Sequence, residues 1–219
     1  MTPTGRKWTP RLPAIKARTR RSQKPIRGAN VECGQRMLAP YRDRVVSSAR
    51  GRVLEVGIGS GLNLPFYASA ATNIIGLDPS PKLLEMGNKA ARKTPIPLRL
   101  IEGTAAAIPI EDHDVDAIVT TWTMCSIAEI QTALQEMRRV LRPGGRLFFV
   151  EHGRATEPRV RWWQDHLTPA WKHLSGGCHL NRAIDEFVEN AGFRIERYLR
   201  HCDNSHWLRQ NVPAETVRV

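Results

Sequence analysis

"VLEVGIGSGLNLPFY", residues 53–67, decides the fold. A run of strand formers leads into Gly57, Gly59 and Gly61, spaced two apart, with Glu55 just before the first glycine. A glycine turn directly after a strand lets a ligand approach bare main chain, and a helix start beyond it presents free N–H groups. The spacing is E-x-G-x-G-x-G, a variant of the G-x-G-x-x-G used by dinucleotide folds. A second strand-like run, NIIGLD (73–78), ends in Asp78, seventeen residues after Gly61. An acid at that place accepts hydrogen bonds from both hydroxyls of a ribose. The loop and the acid together point to a nucleoside ligand rather than to a purely structural turn.

Outward from this loop, strand and helix signals alternate. SPKLLEMGNKAAR (80–92) opens with Ser80 and Pro81 and continues with helical apolar spacing. IPLRLIEG (96–103) reads as a third strand and DVDAIVTTW (114–122) as a fourth. AEIQTALQEMRRVL (128–141) is a long amphipathic helix that Pro143, Gly144 and Gly145 stop, turning the chain into a fifth strand, RLFFVEH (146–152). Near-continuous apolar strands separated by helices imply a parallel sheet covered on both faces. Residues 31–49 are compatible with a lead-in helix. The expectation is an α/β, doubly wound, Rossmann-like domain over residues 31–219, preceded by an arm at residues 1–30.

Charge separates the two parts. The net charge is +12, yet residues 1–30 hold nine Lys or Arg and no acid, leaving only +3 on the rest. With Pro3, Pro10, Pro13 and Pro25 among its charges, the arm has too little apolar surface to order itself. It reads as a solvated tail or as a contact for a polyanion or an anionic membrane surface. Its Arg-rich, acid-free composition also suits a transit peptide. No stretch approaches the ~18 apolar residues of a membrane-spanning helix. Cys33, Cys125, Cys178 and Cys202 form no C-x-x-C pair, so free thiols in a reducing cytoplasm are the simplest reading.

At this point the sequence resembles the class I S-adenosylmethionine-dependent methyltransferases. LEVGIGSG (54–61) matches their first motif and GLDPSPKLLEM (76–86) their ribose-binding motif. EGTAAAIP (102–109) stands where the adenine loop occurs, and DAIVTTWTMCSI (116–127) and LRPGGRLFFVEH (141–152) match the fourth and fifth strand motifs. The resemblance implies S-adenosylmethionine as cofactor and a mostly parallel seven-stranded sheet. The seventh strand would be antiparallel and drawn from the tail after residue 205. It also implies that the backbone at Gly57, Gly59, Ser60 and Gly61 cradles the methionine part, and that Asp78 holds the ribose. Thr104 and Ala105 would flank the adenine, through backbone contacts because the family often has an acid where Thr104 stands. Thr121 would lie at the methionine end. Glu55 either braces the loop or balances the cofactor's cationic end.

The acceptor is expected at the carboxyl ends of the fourth and fifth strands. That brings Trp122, Met124, Cys125, Glu151 and His152 into view, with His152 either a proton acceptor or a strand-end histidine bonded to backbone. DHLTPAWKHLSGGCHLNR (165–182) extends the resemblance to a subgroup that includes the animal thiol S-methyltransferases. Those begin with an apolar membrane anchor, where this chain has the basic arm. A small or lipophilic acceptor follows, with a thiol as the lead and a quinone or phospholipid as the more distant resemblance. An RNA or DNA methyltransferase, or a non-catalytic adenosylmethionine-binding module, are the alternatives; a near-neutral body without a basic aromatic stripe speaks against the first.

Val160, Trp163, Leu167, Trp171 and Leu174 fall at near-helical spacing, so Trp163 and Trp171 are expected in the core. Pro169 is expected to split that segment. Trp162, Asp165 and His166 point elsewhere and would roof the acceptor pocket. No metal is expected: Cys178-His179 and His201-Cys202 are adjacent pairs without ligand spacing.

Overall fold

β1 (Gly51–Val56) is buried along its last four residues and is flanked on both sides, as its apolar run demands. The computed structural model describes residues 30–199 and 214–218. Five strands run parallel: β1, β2 (Ala71–Asp78), β3 (Leu98–Glu102), β4 (Val115–Thr121) and β5 (Leu141–Val150), ordered β3-β2-β1-β4-β5. Beyond β5 lie two antiparallel segments, β7 (Ala214–Arg218) against β5 and β6 (Arg194–Leu199) against β7. The chain winds outward from β1 to β3 and then returns to β4 on the other side of β1. The switch point therefore lies between β1 and β4, where ligands bind in open α/β sheets.

Helices cover both faces. Alternate strand residues Val53, Val119 and Phe148 pack with Val45 and Val46 of α1 (Asn30–Val46). Ile74 of that same face packs near Leu84 and Ala90 of α2 (Pro81–Ala91). Leu54, Ile118 and Phe149, on the opposite face, meet Leu134 and Met137 of α3 (Ile130–Val140) and Val188 of α5 (Ile184–Asn190). Ser80 caps α2 by accepting the Leu83 N–H, and Pro81 occupies the first turn, where its missing N–H costs nothing.

Several expectations need correction. No α-helix follows the glycine turn; a single 3₁₀ turn, Leu64–Phe66, does. The Pro143-Gly144-Gly145 segment lies within β5 rather than before it, with Gly144 at φ 78° and a shift of register against β4. Pro169 does not divide its segment: α4 (Pro158–Leu174) runs through it. The proline is exposed, so the carbonyl it leaves unbonded is not sealed from solvent. Trp163 and Trp171 are not core residues; they are 51% and 43% exposed, with Leu167 and Leu174 beside them. Periodicity located an apolar face on α4 but could not say whether another element covers it. Residues 1–29 of the expected 1–30 arm and the His201-Cys202 pair lie outside the described residues.

Candidate active site

A cleft of about 710 Å³ opens over the carboxyl ends of β1, β2 and β4. That is the size of a pocket for one drug-sized ligand. Glu55, Gly57, Gly59, Ser60, Asp78, Thr104, Ala105, Thr121 and Trp122 all line it. Gly61 does not: it has φ 81°, and a Cβ there would meet Leu64 at 2.9 Å and Ala90 at 3.1 Å. Its bareness serves the packing of the turn on α2. Gly57 has φ 74°, and a Cβ would strike the Thr123 side chain at 2.3 Å. Gly59 has φ 56° and a free surface. The first and last glycines are therefore needed for close packing, and the middle one leaves main chain open to a ligand.

Asp78 ties this floor together. One carboxylate oxygen accepts the Gly59 N–H at 3.0 Å and the other accepts the Ser80 N–H at 2.9 Å. A carboxylate has about four acceptor sites, so two remain for the hydroxyls of a diol. Burial raises its pKa against the pull of those N–H groups.

Glu55 sits in a buried polar network. Its oxygens accept from Asn63 Nδ2 and from the Tyr67 hydroxyl, both at 2.8 Å. Arg42, from α1, donates to Asn63 Oδ1 at 2.6 Å and Thr121 Oγ1 at 3.1 Å. The same guanidinium lies 4.7 Å over the Trp122 ring. Burial pushes the Glu55 carboxyl up to about 7, against the hydrogen bonds of Tyr67 and Asn63 and the charge of Arg42. Sequence reasoning missed Arg42, Asn63 and Tyr67; the signal was only that "NLPFY" carries two polar side chains just beyond the glycines.

The β4–β5 side is built differently. Glu151 is fully buried and accepts the N–H groups of Thr123 (2.6 Å), Met124 (2.7 Å) and Cys125 (3.4 Å). The loop after β4 is thus wrapped on one carboxylate, which burial keeps above its ordinary pKa. Trp122 adopts φ 49°, a strained value for a non-glycine residue at the cleft wall. The buried Arg182 guanidinium donates to the carbonyls of Met124 and Ile127 and so ties the loop from the other side.

His152 is not a wall of the cleft. Its Nε2 lies 3.0 Å from Cys178 Sγ, so one ring nitrogen of the expected proton acceptor faces a cysteine. Burial draws the imidazole down, but the hydrogen bond and charge of Cys178, helped by Glu151, outweigh it and raise its pKa. Cys125 is buried beside this pair and likewise does not line the cleft. Its thiol donates to the Trp122 carbonyl at 3.7 Å. The proximity of Cys125 and Cys178 raises the Cys125 pKa and lowers that of Cys178, with His152 adding to the lowering.

The roof expected from α4 is not formed. Trp162 is exposed and stacks on His166 at 3.9 Å between centroids. Asp165 accepts from Asn181 at 2.7 Å and pairs with Arg154 at 3.3 Å. None of the three lines the cleft. The segment after α4 does, at Ser175 and Gly176.

The chain is similar to known proteins. A methyltransferase domain family matches residues 54–149. The human thiol S-methyltransferase TMT1B is 35% identical over 171 residues, covering 74% of this chain and 69% of its own. The chain belongs to the class I S-adenosylmethionine-dependent methyltransferase family. A demethylmenaquinone methyltransferase from Tropheryma whipplei is 34% identical over 180 residues, or 76% of this chain and 72% of the relative. The crystal structure of an S-adenosylmethionine-dependent methyltransferase from Mesorhizobium loti superposes with a TM-score of 0.61 at 16% identity, covering 83% and 97% of the two chains, and supports the fold alone. The protein is a methyltransferase, and S-adenosylmethionine is its cofactor. The cleft fits that group: an open main chain at Gly59, a strand-end acid with free acceptor capacity and a buried carboxylate network beside it. No described helix is long and apolar enough to cross a membrane.

Proposed function

We propose that this methyltransferase acts on a small thiol. The observation that carries the reading is the likeness to TMT1B over three quarters of the chain. The bound cofactor supplies an electrophilic methyl group; the protein's task is to align an acceptor with it and exclude water. Within this reading the main chain at Gly57, Gly59 and Ser60 holds the methionine part and Asp78 holds the ribose. Thr104 and Ala105 flank the adenine, Thr121 stands at the methionine end, and Glu55 balances the cationic end through its network. Trp122 and the Ser126–Glu129 wall face the acceptor. A thiol is a few per cent thiolate at neutral pH and needs no strong base, which suits a cleft with no histidine among its described lining residues.

The reading also includes the full seven-stranded sheet of the family, in which β6 and β7 close the β5 edge, and residence in a reducing cytoplasm, supported by the free thiols of Cys125 and Cys178. Its first thirty residues act as a basic arm for a polyanion or an anionic surface, supported by nine Lys or Arg without an acid. The likeness to the demethylmenaquinone methyltransferase favours a quinol as the second reading. Turnover of labelled cofactor against thiol, amine and quinol acceptors separates the two. Methyl transfer to thiols alone is expected; transfer to quinols with none to thiols overturns the proposal.

A further inference from the structure

Cys125, His152 and Cys178 come from the loop after β4, the end of β5 and the loop after α4, and one ligand atom from each lies within 4.8 Å of the other two. Separations of 27 and 26 residues hid this set from sequence reading, which weighed only adjacent Cys-His pairs. We propose that the three side chains bind a zinc ion, and that its fourth position takes the thiolate of the acceptor; the second half rests on the thiol reading above.

The donor set selects the metal. Two thiolates and an imidazole are soft and borderline ligands that suit zinc rather than magnesium or calcium. Bonds of ~2.3 Å to sulfur and ~2.0 Å to nitrogen at tetrahedral angles place nitrogen about 3.5 Å from sulfur and the two sulfurs about 3.8 Å apart. The observed His152 Nε2 to Cys178 Sγ distance of 3.0 Å needs to open by about half an ångström. Nε2 then carries no proton, and the ring proton sits on Nδ1.

The surroundings are pre-built. Glu151 fixes the backbone of Thr123, Met124 and Cys125, and the His179 N–H, next to Cys178, donates to the Cys125 carbonyl at 2.9 Å. Both cysteine loops are thereby locked to each other. Two thiolates cancel the ion's charge, while buried Glu151 and Arg182 offset each other nearby. Such a site costs little reorganisation to fill.

Three protein ligands with one position left over is the arrangement of a working zinc site rather than a closed structural one. That position has a route to the cleft. Cys125 Sγ lies 3.5 Å from Ser126 Oγ, and Ser126, like Ser175 and Gly176 just before Cys178, lines the cleft. A thiol entering from the cleft loses its proton to solvent on coordination and presents a metal-held sulfur toward the methionine end.

The test is a titration of the full chain, reduced and metal-free, with Co²⁺ as a spectroscopic stand-in for zinc. One equivalent is expected to give a thiolate-to-cobalt charge-transfer band with tetrahedral visible bands, and zinc is expected to displace it. Cys125→Ser and Cys178→Ser are each expected to weaken or abolish the band. Their retained affinity for S-adenosylmethionine shows that they fold; if Cys125→Ser does not, Cys178→Ser, in the half-buried loop, decides. An alkyl thiol is expected to shift the visible bands and a phenol to leave them unmoved. No band in the wild type, an unchanged band in both variants, or a Cys125–Cys178 disulfide formed in place of metal uptake overturns the metal site. A band that no thiol moves overturns the fourth ligand. The titration contains no cofactor, so its failure leaves thiol methylation standing, whereas an intact band with no thiol turnover removes the thiol reading alone.

Discussion

The floor of the cleft has two halves, made by different means. On the β1–β2 side, the working surface is main chain at Gly57–Ser60, held by Asp78 through the Gly59 and Ser80 N–H groups. All of these residues lie within a span of 24 positions. On the β4–β5 side, the surface rests on buried side chains: Glu151 under the Thr123–Cys125 loop, Arg182 behind it, and the Cys125–His152–Cys178 cluster between. These are drawn from three segments over 60 positions. A half built of local backbone binds the same cofactor part in many proteins; a half built of distant side chains can change its acceptor without changing the fold.

The largest effect is expected where the second half has a single support. Glu151→Leu removes the acceptor for the Thr123, Met124 and Cys125 N–H groups and one of the negative groups near Arg182, at a cost of about 4 kcal/mol in unfolding free energy. Urea denaturation measures it, and a loss below ~1 kcal/mol would show that the loop holds itself.

The first half carries its own liability in Glu55. Its pKa rises from an ordinary 4.5 to about 7 in the folded protein. The folded state therefore holds a proton that the unfolded chain has released between these values. The stability it contributes is complete below pH 4.5 and is lost as pH rises through 7, a fall of about 3 kcal/mol. Asp78 and Glu151, also raised, act with the same sign. Glu55→Gln is expected to flatten the Glu55 share of a stability–pH curve recorded by thermal unfolding. An unaltered curve would mean that Arg42 keeps the carboxylate ionised.

Asp78→Ala tests the first half by binding. Calorimetry with S-adenosylmethionine is expected to show a weakening of about 1.5–3 kcal/mol, the range for hydrogen bonds to a charged group. Undiminished affinity would leave Asp78 as a brace for Gly59 only.

The smallest effect belongs to neither half. Trp162→Ser and Trp163→Ser, on the exposed face of α4, are expected to change stability by less than about 0.5 kcal/mol. A drop of several degrees in the thermal midpoint would show that another part of the chain covers these rings.

The sequence by itself determined most of the strand and helix alternation, the glycine turn and its acid, and so the place of the cleft. Those signals are local: a strand is an unbroken apolar run, a positive φ calls for glycine, and Ser80-Pro81 starts a helix wherever the rest of the chain lies. Tertiary structure alone decided what each remaining side chain faces. Trp163 and Trp171 repeat as a core stripe does, but burial depends on what packs opposite, and in the described structure both stay about half exposed. Arg42 is an ordinary basic residue in the sequence and becomes part of the site because α1 lies across the Glu55 network. His152 stands at a strand end like a base, yet the return of the chain after α4 sets Cys178 against its nitrogen. Contacts between residues far apart in sequence depend on how whole elements cross, and no local spacing encodes that crossing.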